Sequence, residues 1–139
     1  MSNNKMDSLI QQMENYLECW KQFNHFINLA RSKKFGAEDE GQFMEVKSVL
    51  IQELELIFAN IEVNSPTKDE VHTLVGNAPS LRFMSEMNEG VLRNLENQWH
   101  KIYIGWHSIL GQLKVRERAD SDKSGFSGLF GGGKKDKGK

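Results

Sequence analysis

The sequence predicts an all-α fold: an up-and-down helical bundle of three long helices plus one short helix over residues 1–119, then a disordered, flexible Gly/Lys-rich C-terminal tail over residues 120–139. Three observations carry this expectation. Large apolar residues recur at steps of three and four over long stretches, the spacing that aligns side chains on one face of a helix. Breakers separate those stretches, at Gly36, at Asn64-Ser65-Pro66 and at Gly76-Asn77-Ala78-Pro79. No sustained period-two alternation appears, and the one hairpin-type pair before the tail, Gly76-Asn77, has no alternating runs beside it.

The first helix is expected from about Asn4 to Lys34, with Met6, Ile10, Met13, Leu17, Trp20, Phe23, Ile27 and Ala30 as its stripe and Leu9 and Tyr16 widening it. Gly36 is its expected stop. Ala37-Glu38-Asp39-Glu40 then supplies the acidic first turn that suits the positive end of a helix dipole. The second helix carries Phe43, Val46, Leu50, Leu54, Ile57 and Ile61, flanked by Val49, Ile51, Leu56 and Phe58. Being apolar around much of its girth, it is expected to be the most buried element.

A short helix follows at about Pro66 to Val75, with Val71, Leu74 and Val75 inward. Either Ser65 caps it with Pro66 at its first position, or Thr67 caps it with Glu70 three residues on. Ser80 can cap the last helix, whose stripe is Leu81, Met84, Val91, Leu95, Trp99, Ile102, Trp106, Ile109 and Leu113. A helix to Arg118 is roughly 57 Å long against roughly 46 Å for the first, and the surplus either projects or packs on another copy, a homodimer that the plentiful Phe, Met and Trp also suggest. Gly90, Gly105 and Gly111 interrupt it, and Gly105 predicts close approach of a neighbouring helix. Asn88 and Gln98 fall near inward positions, where polar residues can set register or oligomeric state.

Length and charge narrow the function. A chain of 139 residues suits one domain with a core of its own. The net charge of -1 singles out no partner, and nucleic-acid binding is not expected because basic clusters are sparse in residues 1–119. One cysteine, Cys19, excludes an intramolecular disulfide and points to a reducing compartment. The amino-terminal stretch turns polar too soon for a secretion signal, and no stretch holds the ~20 apolar residues of a membrane span. A cytoplasmic location is the resulting expectation.

Site chemistry is thin. Carboxylate-bridged metal centres in bundles use two Glu-x-x-His pairs, and the chain has only Asp69-Glu70-Val71-His72 in that style. Glu96, His100 and His107 on the last helix are the candidate metal or haem ligands, although they flank the Trp99–Trp106 stripe as boundary residues do. Cys19 and His25 lie on different sides of the first helix, without a cysteine-enzyme signature, so catalysis is not expected. No cofactor is expected either.

The tail is the unusual feature. Gly128-Leu129-Phe130-Gly131-Gly132-Gly133-Lys134 matches a phosphate loop except that Lys135 replaces the final hydroxyl residue, and no strand leads into it, so nucleotide binding is not expected. What remains is an apolar cluster, Phe126, Leu129 and Phe130, followed by Lys134 and Lys135 in a segment that cannot bury it alone. Two readings stay open for it: a solubilising end whose apolar residues are incidental, or a segment that docks into a protein groove or, weakly, onto an anionic membrane. The sequence therefore points to a non-catalytic interaction or adaptor protein tethered through these five residues, with a metal- or haem-binding bundle and a peripheral membrane protein as alternatives.

Overall fold

The computed structural model describes the backbone of residues 2–137 and the side chains of residues 5–120. Its elements are α1 (Ser2–Ser32), α2 (Ala37–Asn60), α3 (Lys68–Gly76), α4 (Leu81–Ser85) and α5 (Glu89–Lys137), with no strand among the described residues. The chain is all-α. The backbone of the expected tail continues α5 to Lys137, while the side chains of residues 121–139 lie outside the described residues.

Contacts between helices fix the directions. Gln12 Nε2 donates to Glu53 Oε1 at 3.3 Å, whereas Phe26 meets Phe43 with ring centroids 5.4 Å apart, so α2 runs antiparallel to α1. Arg31 reaches Glu89 and Glu96 at one end of α5, and Glu14 pairs with Lys114 further along, so α5 is antiparallel to α1 as well. The chain must therefore return between α2 and α5. α3 makes most of that return, with Lys68 paired to Glu55 and Glu70 to Lys101. The result is an up-down-up-down bundle whose third arm is short and broken.

Local chemistry sets the breaks. Lys33 takes a positive φ of 62° and ends α1, the left-handed conformation that commonly closes a helix. Gly36, the expected stop, instead opens α2, its N–H donating to Asp39 Oδ2 at 2.8 Å. Thr67 caps α3: its hydroxyl accepts from the Glu70 N–H at 3.1 Å while the Glu70 carboxylate accepts from the Thr67 N–H at 2.8 Å. Ser80 caps α4 through the Phe83 N–H. The expected last helix is in fact two, because Asn88 accepts from the Val91 N–H at 2.9 Å and starts α5 afresh. Asn88 is thus an exposed cap rather than an inward register residue, and Gln98 is exposed as well.

α1 is the central helix, packed against α5, α2 and α4, a correction to the expectation that α2 is the most buried. It buries Met13, Tyr16, Leu17, Trp20, Phe23, Phe26, Ile27 and Ala30, whereas α2 leaves Met44, Val49 and Leu56 exposed. Phe26 joins this stripe although it stands beside the regular spacing, because Phe43 meets it. Trp99 is only half-buried and donates its indole N–H to the Trp20 carbonyl at 2.7 Å, tying α5 to α1. Val91, expected inward, is exposed.

Gly105 does mark a close approach, but the neighbour is a loop proline. A Cβ there would stand 3.0 Å from Pro66 Cδ and 3.2 Å from Cγ. The buried Pro66 ring, following a cis peptide bond, fills that notch. Gly111 by contrast faces open space. Gly111→Ala is therefore expected to stabilise the fold by about 1 kcal/mol through helix propensity. Gly105→Ala is expected to lose about 1 kcal/mol net, because overpacking against Pro66 outweighs the same propensity gain. Urea denaturation of both variants checks the opposite signs. The Glu40 carboxylate accepts from the Leu81 and Arg82 N–H groups, each at 2.9 Å, and so anchors α4 to α2. Glu40→Gln removes the charge and one acceptor oxygen and is expected to lower stability by about 1–2 kcal/mol in the same assay.

Candidate functional site

α1 and α2 diverge on one side to leave a groove of about 700 Å3. Cys19, Gln22, His25 and Phe26 line it from α1; Asp39, Gln42, Glu45, Val46, Ser48 and Val49 line it from α2. Its apolar floor is set by helical spacing. Phe26 and Val46 turn partly into the core, while Val49, one turn on from Val46, stays 38% exposed at the margin. The rim is acidic, and no lysine or arginine lines it. The apolar girth of α2, which suggested burial when read as sequence, is here divided between the core and this open margin.

Cys19 and His25, expected on different sides of α1, both line this groove. Their chemistry does not favour nucleophilic attack. Burial pushes the Cys19 thiol up from its ordinary range, and the nearby Glu53 and Glu18 carboxylates push it further. A reactive cysteine needs the opposite environment, one that stabilises the thiolate. His25 is exposed and lies edge-on to Phe26, ring centroids 5.5 Å apart.

The candidate metal ligands of α5 are engaged elsewhere. Glu96 accepts from Arg31 Nη2 at 2.6 Å and from Nη1 at 3.3 Å. This fork ties the end of α1 to the start of α5, and Glu89 joins it at 3.3 Å from Arg31 Nε. With both side chains about 30% exposed, the pair is screened less than the fully exposed pairs elsewhere on the surface. His100 and His107 are both exposed. His107 sits edge-on to Tyr103 at 4.6 Å, and Tyr103 stacks on Trp99 at 4.8 Å, so this row is a partly buried aromatic ladder along α5. Among the described residues, no three His, Cys, Asp or Glu side chains are grouped to hold a metal ion.

Phe126, Leu129, Phe130, Lys134 and Lys135 lie outside the described side chains, and the α1–α2 groove is one of several clefts that the described residues present. Among those residues, no helix is long and apolar enough to cross a membrane.

The raised thiol pKa has a direct test. Alkylation of Cys19 by iodoacetamide at pH 8 is expected to be slower than that of a free cysteine peptide, with the rate still rising above pH 9. Glu53→Gln removes one of the charges that oppose the thiolate, and should move the pH–rate curve to lower pH. A curve unmoved in Glu53→Gln would assign the shift to burial and Glu18.

Comparison with known proteins found no family model, no curated protein and no solved structure that matches this chain.

Proposed function

We propose that this chain is a non-catalytic interaction or adaptor protein, in which a helical-bundle body presents a groove and the C-terminal segment tethers a protein partner. The observation that carries the reading is the α1–α2 groove, with an apolar floor and an acidic rim, one wall of it formed by the central helix α1. Such a surface is built to bind a segment of chain. The side chains that would otherwise suggest chemistry hold the fold or lack activation: Glu96 grips Arg31, and Cys19 is held as a thiol. The segment supplies the second binding element, with Phe126, Leu129 and Phe130 as apolar anchors and Lys134 and Lys135 as its charges. A lone cysteine fits a reducing, cytoplasmic setting for such a protein.

Removing residues 120–139 tests the tether. Among the described residues the buried core ends at Leu113, so the melting temperature followed by circular dichroism should stay within about 2 °C of the full chain. Recovery of the partner by affinity capture and mass spectrometry should fall by at least tenfold. Equal recovery by the two forms would remove the segment from the function.

A further inference from the structure

We infer that the α1–α2 groove receives the apolar-basic C-terminal segment, Phe126 to Lys135, of a second copy of this chain, so that two copies exchange segments. The inference rests on the proposed docking role of that segment and names its partner.

Charge supplies the first argument. α2 carries Glu38, Asp39, Glu40, Glu45, Glu53 and Glu55 against a single lysine, Lys47. Asp39 and Glu45 line the groove itself. Glu18 and Glu53 stand close to Cys19 at its other end, where they act on the thiol. Neither a lysine nor an arginine lines the groove. The C-terminal segment has the inverse arrangement, three large apolar residues followed by Lys134 and Lys135, with Lys137 and Lys139 beyond. Apolar anchors suit the Phe26, Val46 and Val49 floor, and the lysines suit the carboxylates around it.

Direction supplies the second. α5 leaves the Arg31 end of α1, passes Glu14 at Lys114 and continues in that sense to Lys137. The groove lies toward the other half of α1, at Cys19 to Phe26, on the side that α2 occupies. From Glu14 to His25 is about 16 Å along α1 at a helical rise of 1.5 Å per residue. A chain entering its own groove would have to reverse and cross α1. A second copy laid antiparallel meets the segment without reversal, and the twofold exchange closes on itself. Two simultaneous contacts also raise the avidity above that of one segment in one groove.

Sedimentation velocity of the full chain over about two decades of micromolar concentration reads the outcome. The expected result is a monomer–dimer equilibrium that weakens at high salt, since the ion pairs are exposed to screening. The combined variant Phe126→Ser, Leu129→Ser, Phe130→Ser should weaken the dimer at least tenfold, and so should Val49→Glu, with helicity by circular dichroism confirming that each remains folded. Mixing the two variants should recover a one-to-one dimer stronger than either variant forms alone but weaker than that of the full chain, because one intact segment then meets one intact groove. A full chain that stays monomeric, or a dimer indifferent to both variants, overturns the inference. Monomers in which the triple-serine variant speeds Cys19 alkylation would place the segment in its own groove and likewise overturn it. If the serine variant loses capture of a different protein while no dimer forms, the adaptor reading stands and this inference falls.

Discussion

Tyr16 is the point through which the bundle is held together. Its hydroxyl donates to the Leu50 carbonyl of α2 at 2.7 Å, and its ring meets Trp20 and Trp106 edge-on, with centroids 6.1 and 5.3 Å away. One residue of α1 thereby fixes both long neighbours. Burial pushes the phenol's pKa upward; the Trp20 indole N–H beside it offsets part of that rise without hydrogen-bond geometry. Among the described residues the Trp20 and Trp106 N–H groups are buried without a partner, at a cost of about 1–3 kcal/mol each. An indole burying 150–250 Å2 returns about 4–6 kcal/mol at 25 cal/mol per Å2, so the packing term outweighs the unpaired donor.

The remaining architecture follows from this aromatic line along α1. Trp20 and Phe23 continue it toward the α1–α2 connection at 5.8 Å between centroids, and Phe43 of α2 meets both Phe23 and Phe26, at 5.5 and 5.4 Å. α1 needs cover on several sides. α2 and α5 provide two, and α4 provides a third, held in place by the Glu40 carboxylate. A helix tied at Tyr16–Leu50 and at Phe26–Phe43 cannot also close against every residue between and beside those points. The groove lined by Cys19, His25 and Val49 is the space left where α2 turns its outer face away.

Several readings of the sequence met a different neighbour in space. Gly105 signalled close approach, and what approaches is Pro66, a residue 39 positions earlier that helical periodicity could not place. Asn88 falls in the helical pattern, yet its side chain accepts from the Val91 N–H and separates α4 from α5. A polar residue that continues a stripe and one that caps a new helix look alike until the backbone shows which amide is free. Glu96, read beside His100 and His107 as a ligand candidate, has Arg31 as its partner from 65 residues away. The groove had one signal in the chain: α2 holds more apolar residues than one buried face can use.

By itself the sequence determined the class, the positions of α1, α2 and α3 to within a few residues, and most of the core. Those properties depend on local periodicity and on capping groups such as Thr67 and Ser80, which act within one turn. It also determined the apolar-basic character of the C-terminal segment, a matter of composition. The tertiary structure alone decided that α1 is central, that α5 starts at Glu89, and that Cys19, His25, Asp39, Glu45 and Val49 face one groove. Those facts depend on which surfaces meet after the chain reverses direction. Spacing along one helix carries no information about the angle at which another helix crosses it.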